Sequence, residues 1–136
     1  MKTFKLNMLE IVDLDAKEYE PINIPLSDGL IINREDDQNR WLIEAYTDRD
    51  FLDFFTETKQ KYEELILHVK ITTELNEKAT CLTSIIDINE IGDKMNVLFL
   101  GTMVEQRTKK LELRLDKLVS QGYRGKELLE QFKGKL

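Results

Sequence analysis

The sequence predicts an α+β, β-dominated fold: about seven short antiparallel strands, one intervening helix and a C-terminal pair of helices. Three observations carry this. Apolar residues alternate with a period of two over most of residues 4–104, the mark of half-buried strands. Turn residues break the alternation at Ser27-Asp28-Gly29, Asn76-Glu77-Lys78 and Gly92-Asp93. The period shifts to that of a helix near residue 50 and again after residue 104. Seven strands joined by tight turns make a barrel or a sandwich, and periodicity does not separate the two. At 136 residues, with no linker, repeat or low-complexity run, the chain reads as one domain: a β core over 1–104 and a helix pair over 105–136.

The first strand comes from TFKLNMLEIV, with Phe4, Leu6 and Met8 on one face and a change of face near Leu9 and Ile11 that predicts a bulge. In PINIPL, Pro21 and Pro25 cannot donate to a ladder, so this segment is an edge strand. LIIN at 30–33 and WLIEAYT at 41–47 form a hairpin across the charged stretch REDDQNR. Its Asp and Asn residues suit a tight connection, because they tolerate left-handed backbone and bond their own main chain. Phe51, Phe54 and Phe55 sit at helical spacing and predict a core-packing helix at about 50–61, with Asp48 or Asp50 as its cap.

In ELILHVKITTE, Leu65, Leu67, Val69 and Ile71 share one face, and Ile66, His68, Lys70 and Thr72 the other. The single histidine is therefore expected on the outer, more polar surface. TCLTSIIDINEI sets Leu82, Ser84, Ile86 and Ile88 opposite Cys81, Thr83, Ile85 and Asp87. Cys81, with no basic residue or histidine beside it in sequence, reads as a small packing residue and not a nucleophile. KMNVLFLGTMV is apolar on both faces: Met95, Val97, Phe99 and Met103 on one, Leu98, Leu100 and Val104 on the other. A strand apolar on both faces is covered on both. The second cover is expected from the two C-terminal helices, with Leu111, Leu115, Leu118 and Val119 in the first and Leu128, Leu129, Phe132 and Leu136 in the second. Gly122 is the stop between them. Their apolar stripe is expected to dock on Leu98 and Leu100. Beside it runs a basic stripe of Arg107, Lys110, Arg114 and Lys117, a candidate interaction surface.

The net charge of −6 is unevenly spread. Residues 105–136 carry nine Lys/Arg against five Asp/Glu, which is +4, and residues 1–104 carry the remaining −10. An acidic body argues against nucleic acid as a partner, because phosphate contacts need a positive surface. No apolar run approaches a membrane span, so no membrane role is expected. The start lacks the apolar core of a signal peptide, and a lone cysteine fits a reducing compartment, so a cytoplasmic location is expected.

The stretch DGLIINREDDQNRWLIEAY at 28–46, with the MKTFKL start, resembles the YwpF-like family of Gram-positive bacteria along the whole chain. The resemblance implies a β-barrel core with a C-terminal two-helix pair, and a barrel like that of the hemolysin-coregulated tube proteins of type VI secretion. It implies no catalytic residues.

Little in the chain looks like an active site. The six glycines form no phosphate loop, and one His and one Cys make no metal constellation. No catalytic residue, cofactor, metal or small-molecule substrate is assigned. The expected function is a non-enzymatic interaction or assembly module that binds itself or a protein partner. The alternative is a small metal-dependent hydrolase using the loop carboxylates Glu35, Asp36 and Asp37.

Overall fold

The computed structural model describes residues 1–136. Seven strands are present: β1 (Lys2–Ile11), β2 (Ile22–Ile24), β3 (Asp28–Asn33), β4 (Arg40–Asp48), β5 (Leu65–Ile71), β6 (Ala79–Ile91) and β7 (Lys94–Val104). Helix α1 (Leu52–Lys61) lies between β4 and β5, and α2 (Thr108–Ser120) and α3 (Gly125–Lys133) close the chain. All pairings are antiparallel, in the order β2-β1-β3-β4-β7-β6-β5, and β5 returns to pair with β1. That last pairing closes six strands into a barrel. The seventh, β2, pairs only with β1, at Leu9–Ile24, Glu10–Asn23 and Ile11–Ile22. Flanking prolines keep it short and at the edge.

The barrel interior holds the alternate residues the sequence pattern assigns to it, among them Leu6, Ile31, Ile43, Leu67, Val69, Cys81, Val97 and Phe99. A register shift in β1 between Leu6 and Met8 exchanges the faces. Leu9 and Ile11 then point inward, and Met8 does not join the buried core. A second shift, in β6 between Ile85 and Asp87, corrects the expected alternation there: Ile86 is exposed, while Ile88 packs against the core. At Gly101, β6 and β7 lie so close that a Cβ would stand 1.9 Å from the Leu82 carbonyl oxygen.

Helix α1 is shorter than expected because Arg49–Phe51 form a 3-10 turn, capped by the Asp48 carboxylate accepting from the Asp50 N–H. It plugs one mouth of the barrel. Phe55 is fully buried there, edge-to-face with Phe99 at 6.1 Å between ring centroids.

Helices α2 and α3 form the antiparallel pair. Gly122, at φ +97°, lets the chain leave α2, and the N–H groups of Gly122 and Tyr123 donate to Val119 and Leu118. This is a Schellman stop. The docking site differs from the expected one. Leu111, Leu115, Leu128, Leu129 and Phe132 pack on Val12, Leu14 and Ile66, with Leu82 and Val104 at the edge. The helices thus cover the β5–β6 side of the barrel and the segment after β1, leaving Leu98 and Leu100 outside that cluster. A three-residue connection from β7 into α2 favours this: Thr108 is already buried against Thr80 of β6.

Candidate interaction surface

The helix cover explains the first site residue that sequence alone misplaced. His68 is fully buried, not a surface residue, because the outer face of β5 lies beneath α2. Its Nε2 is 2.6 Å from the Tyr19 hydroxyl and its Nδ1 is 3.0 Å from Thr80 Oγ1. Thr80 Oγ1 is 2.6 Å from Thr108 Oγ1, and Tyr19 donates to Glu112 at 3.2 Å. Both ring nitrogens of His68 and the hydroxyls of Tyr19, Thr80 and Thr108 thus have partners, as buried polar groups require. The network ties β5 and β6 to α2. It borders a cavity of about 540 Å³ walled by Lys70, Lys78, Arg107, Thr108 and Glu112.

Burial holds the His68 imidazole below its ordinary value, against the opposing pull of Glu112 and Glu10. The unfolded chain therefore binds more protons than the folded one as the pH falls through about 6.5. Folding stability declines below that pH, by at most about 1.4 kcal/mol per pH unit. Urea unfolding at pH 7.5, 6.5 and 5.5 measures the slope. His68→Gln, which cannot titrate, is expected to flatten it; an unchanged slope would assign the effect elsewhere. Paired carboxylates such as Asp15 and Asp36, whose values are lowered by the Lys61 and Arg40 contacts, lose their contribution only near pH 4 and below.

The charged stretch 34–40 is a turn. Asp36 Oδ1 accepts from the N–H groups of Gln38 and Arg40 at 3.1 and 2.9 Å, and Oδ2 accepts from Arg40 Nε at 2.9 Å. Glu35 and Asn39 take left-handed backbone, and Glu35 meets the N-terminal ammonium at 3.1 Å. No three His, Cys, Asp or Glu side chains gather where they could hold a metal ion. Titration with Mg²⁺, Mn²⁺ and Ca²⁺ is expected to give no heat, and Asp36→Ala to lower the melting temperature by loosening the hairpin. Saturable heat abolished by Asp36→Ala would restore the carboxylates to a metal-binding role.

Cys81 is buried at the core, and burial pushes its thiol up to about 12. A thiol so placed stays protonated and unreactive.

The basic stripe divides. Arg114 turns under α2: its Nη2 donates to the Phe132 and Gln131 carbonyls at the end of α3, and its guanidinium lies over the Phe132 ring. It is a structural residue. Arg107 stands at the start of α2, at the cavity rim. Lys110 and Lys117 are exposed, make no ion pair with an acid, and flank Leu113, which is 67% exposed.

The surface that sequence did not isolate is the barrel wall opposite the helix pair. Cross-strand registers place Ile32 beside Leu42, Leu42 beside Leu100, and Leu100 beside Ser84. In the adjacent row Leu30 meets Glu44, Glu44 meets Leu98, and Leu98 meets Asp87. All point outward, since Ile31, Ile43, Val97 and Phe99 fill the interior. Leu30 and Ile86 are exposed, and Ile32, Leu42, Leu98 and Leu100 are half-buried. No helix covers this wall. The signal for it in the sequence is the apolar outer face of β7, which alternation alone offers equally to the helices.

The profile of the YwpF-like protein family matches residues 2–135. The chain belongs to the YwpF-like family. Over its full 136 residues it is 39% identical to "Uncharacterized protein YwpF" of Bacillus subtilis (strain 168), covering all of that protein. The crystal structure of a hypothetical protein from Staphylococcus aureus matches with a TM-score of 0.71 at 28% identity, over 98% of this chain and 91% of that one. No helix in this family member is long and apolar enough to cross a membrane.

Proposed function

We propose that the chain is a non-enzymatic interaction module whose binding surface is the outer wall of β3, β4, β7 and β6. One observation carries this reading: Leu30, Ile32, Leu42, Leu98 and Leu100 share the outward face of neighbouring strands, Ile86 stands exposed at the β6 bulge beside Leu100, and neither cluster of core residues takes in any of the six. Contiguous exposed apolar surface costs free energy in water and marks a place of contact. The lone histidine and lone cysteine, both buried, support a binding role over a catalytic one. The expected likeness of the barrel to the hemolysin-coregulated tube proteins belongs to the same proposal; superposition of the six-stranded barrel on such a protein tests it.

The reading is tested in cells with a photo-crosslinking side chain at Ile86, and at Glu57 on α1 as control. Crosslinking to a protein from position 86 and none from 57 is the expected result. No product from position 86 contradicts it.

A further inference from the structure

We infer that the partner of this wall is the α2 surface of a second copy, in a head-to-tail contact; the inference rests on the wall being the binding surface. The geometry that points to it is a match of spacing and sign. On the wall, Leu98 stands between two carboxylates, Glu44 on one neighbouring strand and Asp87 on the other. Two strand spacings separate those acids, roughly 10 Å. On α2, Leu113 stands between Lys110 and Lys117. Seven residues of helix separate the lysines, roughly 10.5 Å at 1.5 Å per residue.

The groups concerned are free to make the contact. Neither lysine, nor Glu44, nor Asp87 is in an ion pair within the chain. Asp87 accepts only from its local neighbours Ile88 and Asn89. A helix laid across the strands puts Leu113 on Leu98 and Leu100, with one lysine over each acid.

The two surfaces lie on different sides of the molecule, because the helices cover β5 and β6 at their outer face while the wall centres on β4 and β7. One copy cannot satisfy its own wall. A contact between unlike surfaces is heterologous and propagates into a ring or an open chain. The uneven charge, −10 on the body and +4 on the tail, favours the same polarity of assembly.

The test uses two full-length variants and light scattering at low salt. Lys110→Glu/Lys117→Glu reverses the helix surface; Glu44→Lys/Asp87→Lys reverses the wall. The wild-type chain is expected to associate with rising concentration, and to do so less in high salt, where exposed charges are screened beyond about 8 Å at physiological ionic strength. Each variant alone is expected to associate at least tenfold more weakly, and their equimolar mixture to regain association, since each presents what the other lacks. Native far-UV circular dichroism in both variants secures the comparison.

A wild-type chain that stays at the 16.0 kDa monomer mass at every concentration overturns the inference. So does association of the lysine variant equal to wild type, which would mean walls paired with walls. So does a mixture no stronger than its parts. Crosslinking from position 86 to a different protein overturns the inference while sparing the interaction reading; absence of any crosslink removes both.

Discussion

A chain cut after residue 105 is expected to be insoluble, or to lose its native near-UV circular dichroism. The cut exposes Val12, Leu14 and Ile66, which the helix pair buries, and strips Thr80 of Thr108 and Tyr19 of Glu112, the contacts that tie the His68 network to α2. It also removes the Gly125 N–H that donates to the Leu14 carbonyl at 2.6 Å and the Arg124 guanidinium that holds the Lys17 carbonyl at 3.2 Å. Leu111, Leu115, Leu128 and Phe132 are fully buried on the helix side. Burial of each stabilises by about 1.5–3 kcal/mol. The loss of four rivals the roughly 5–15 kcal/mol that holds a domain folded. The measurement is near-UV circular dichroism together with molar mass of the 1–105 chain. A native-like monomer would show that the helices are an appendage and not a cover.

Phe55→Ala is expected to cost about 3–5 kcal/mol, the range for a fully buried aromatic truncated in a core that cannot collapse. Phe55 is fully buried, with Phe54 and Phe99 packed edge-to-face against it at 5.2 and 6.1 Å between centroids. Phe54, only half-buried, should lose less than half as much on the same truncation. Urea unfolding of the two variants decides. Equal losses would mean that α1 does not plug the barrel as a wedge led by Phe55.

These two results bear on how far the sequence could be read. The helical spacing of Phe51, Phe54 and Phe55 announced a core helix, and a core helix is what forms, because a 3.6-residue period leaves one face for burial whatever that face meets. Gly122 announced the end of α2 for a similar local reason: the Schellman stop needs φ above zero, and glycine supplies it without strain. The turn at 34–40 was legible in its composition, but that the Asp36 carboxylate organises it, through the Gln38 and Arg40 N–H groups and the Arg40 side chain, was not.

What failed was always a question of which surface meets which. Alternation put His68 opposite Leu67 and Val69, and there it lies. Alternation does not say what covers that face, and the cover, α2, comes forty residues later. The same gap misdirected the helices to Leu98 and Leu100, since two apolar outer faces, at Ile66 and at Leu98, competed for one cover. Tyr19, the hydroxyl partner of His68, sits in an irregular segment that carries no periodic signal. Barrel and sandwich differ here by the β1–β5 pairing, a contact between residues about sixty apart that no local pattern encodes. Arg114 looked like part of a solvated stripe because spacing does not reveal that α3 ends beside it.

The central claim, that the outer wall of β3, β4, β7 and β6 is a contact surface, is tested most directly on side-chain methyl groups. Methyl NMR of the intact chain is recorded with a soluble paramagnetic chelate, dilute and concentrated, at low salt. Leu30, Ile86 and Leu98 are expected to become shielded from the chelate as concentration rises. Ile91, 44% exposed at the far end of β6, should stay accessible throughout. Methyl groups on the wall that remain as open to the chelate in the concentrated sample as in the dilute one would contradict the account.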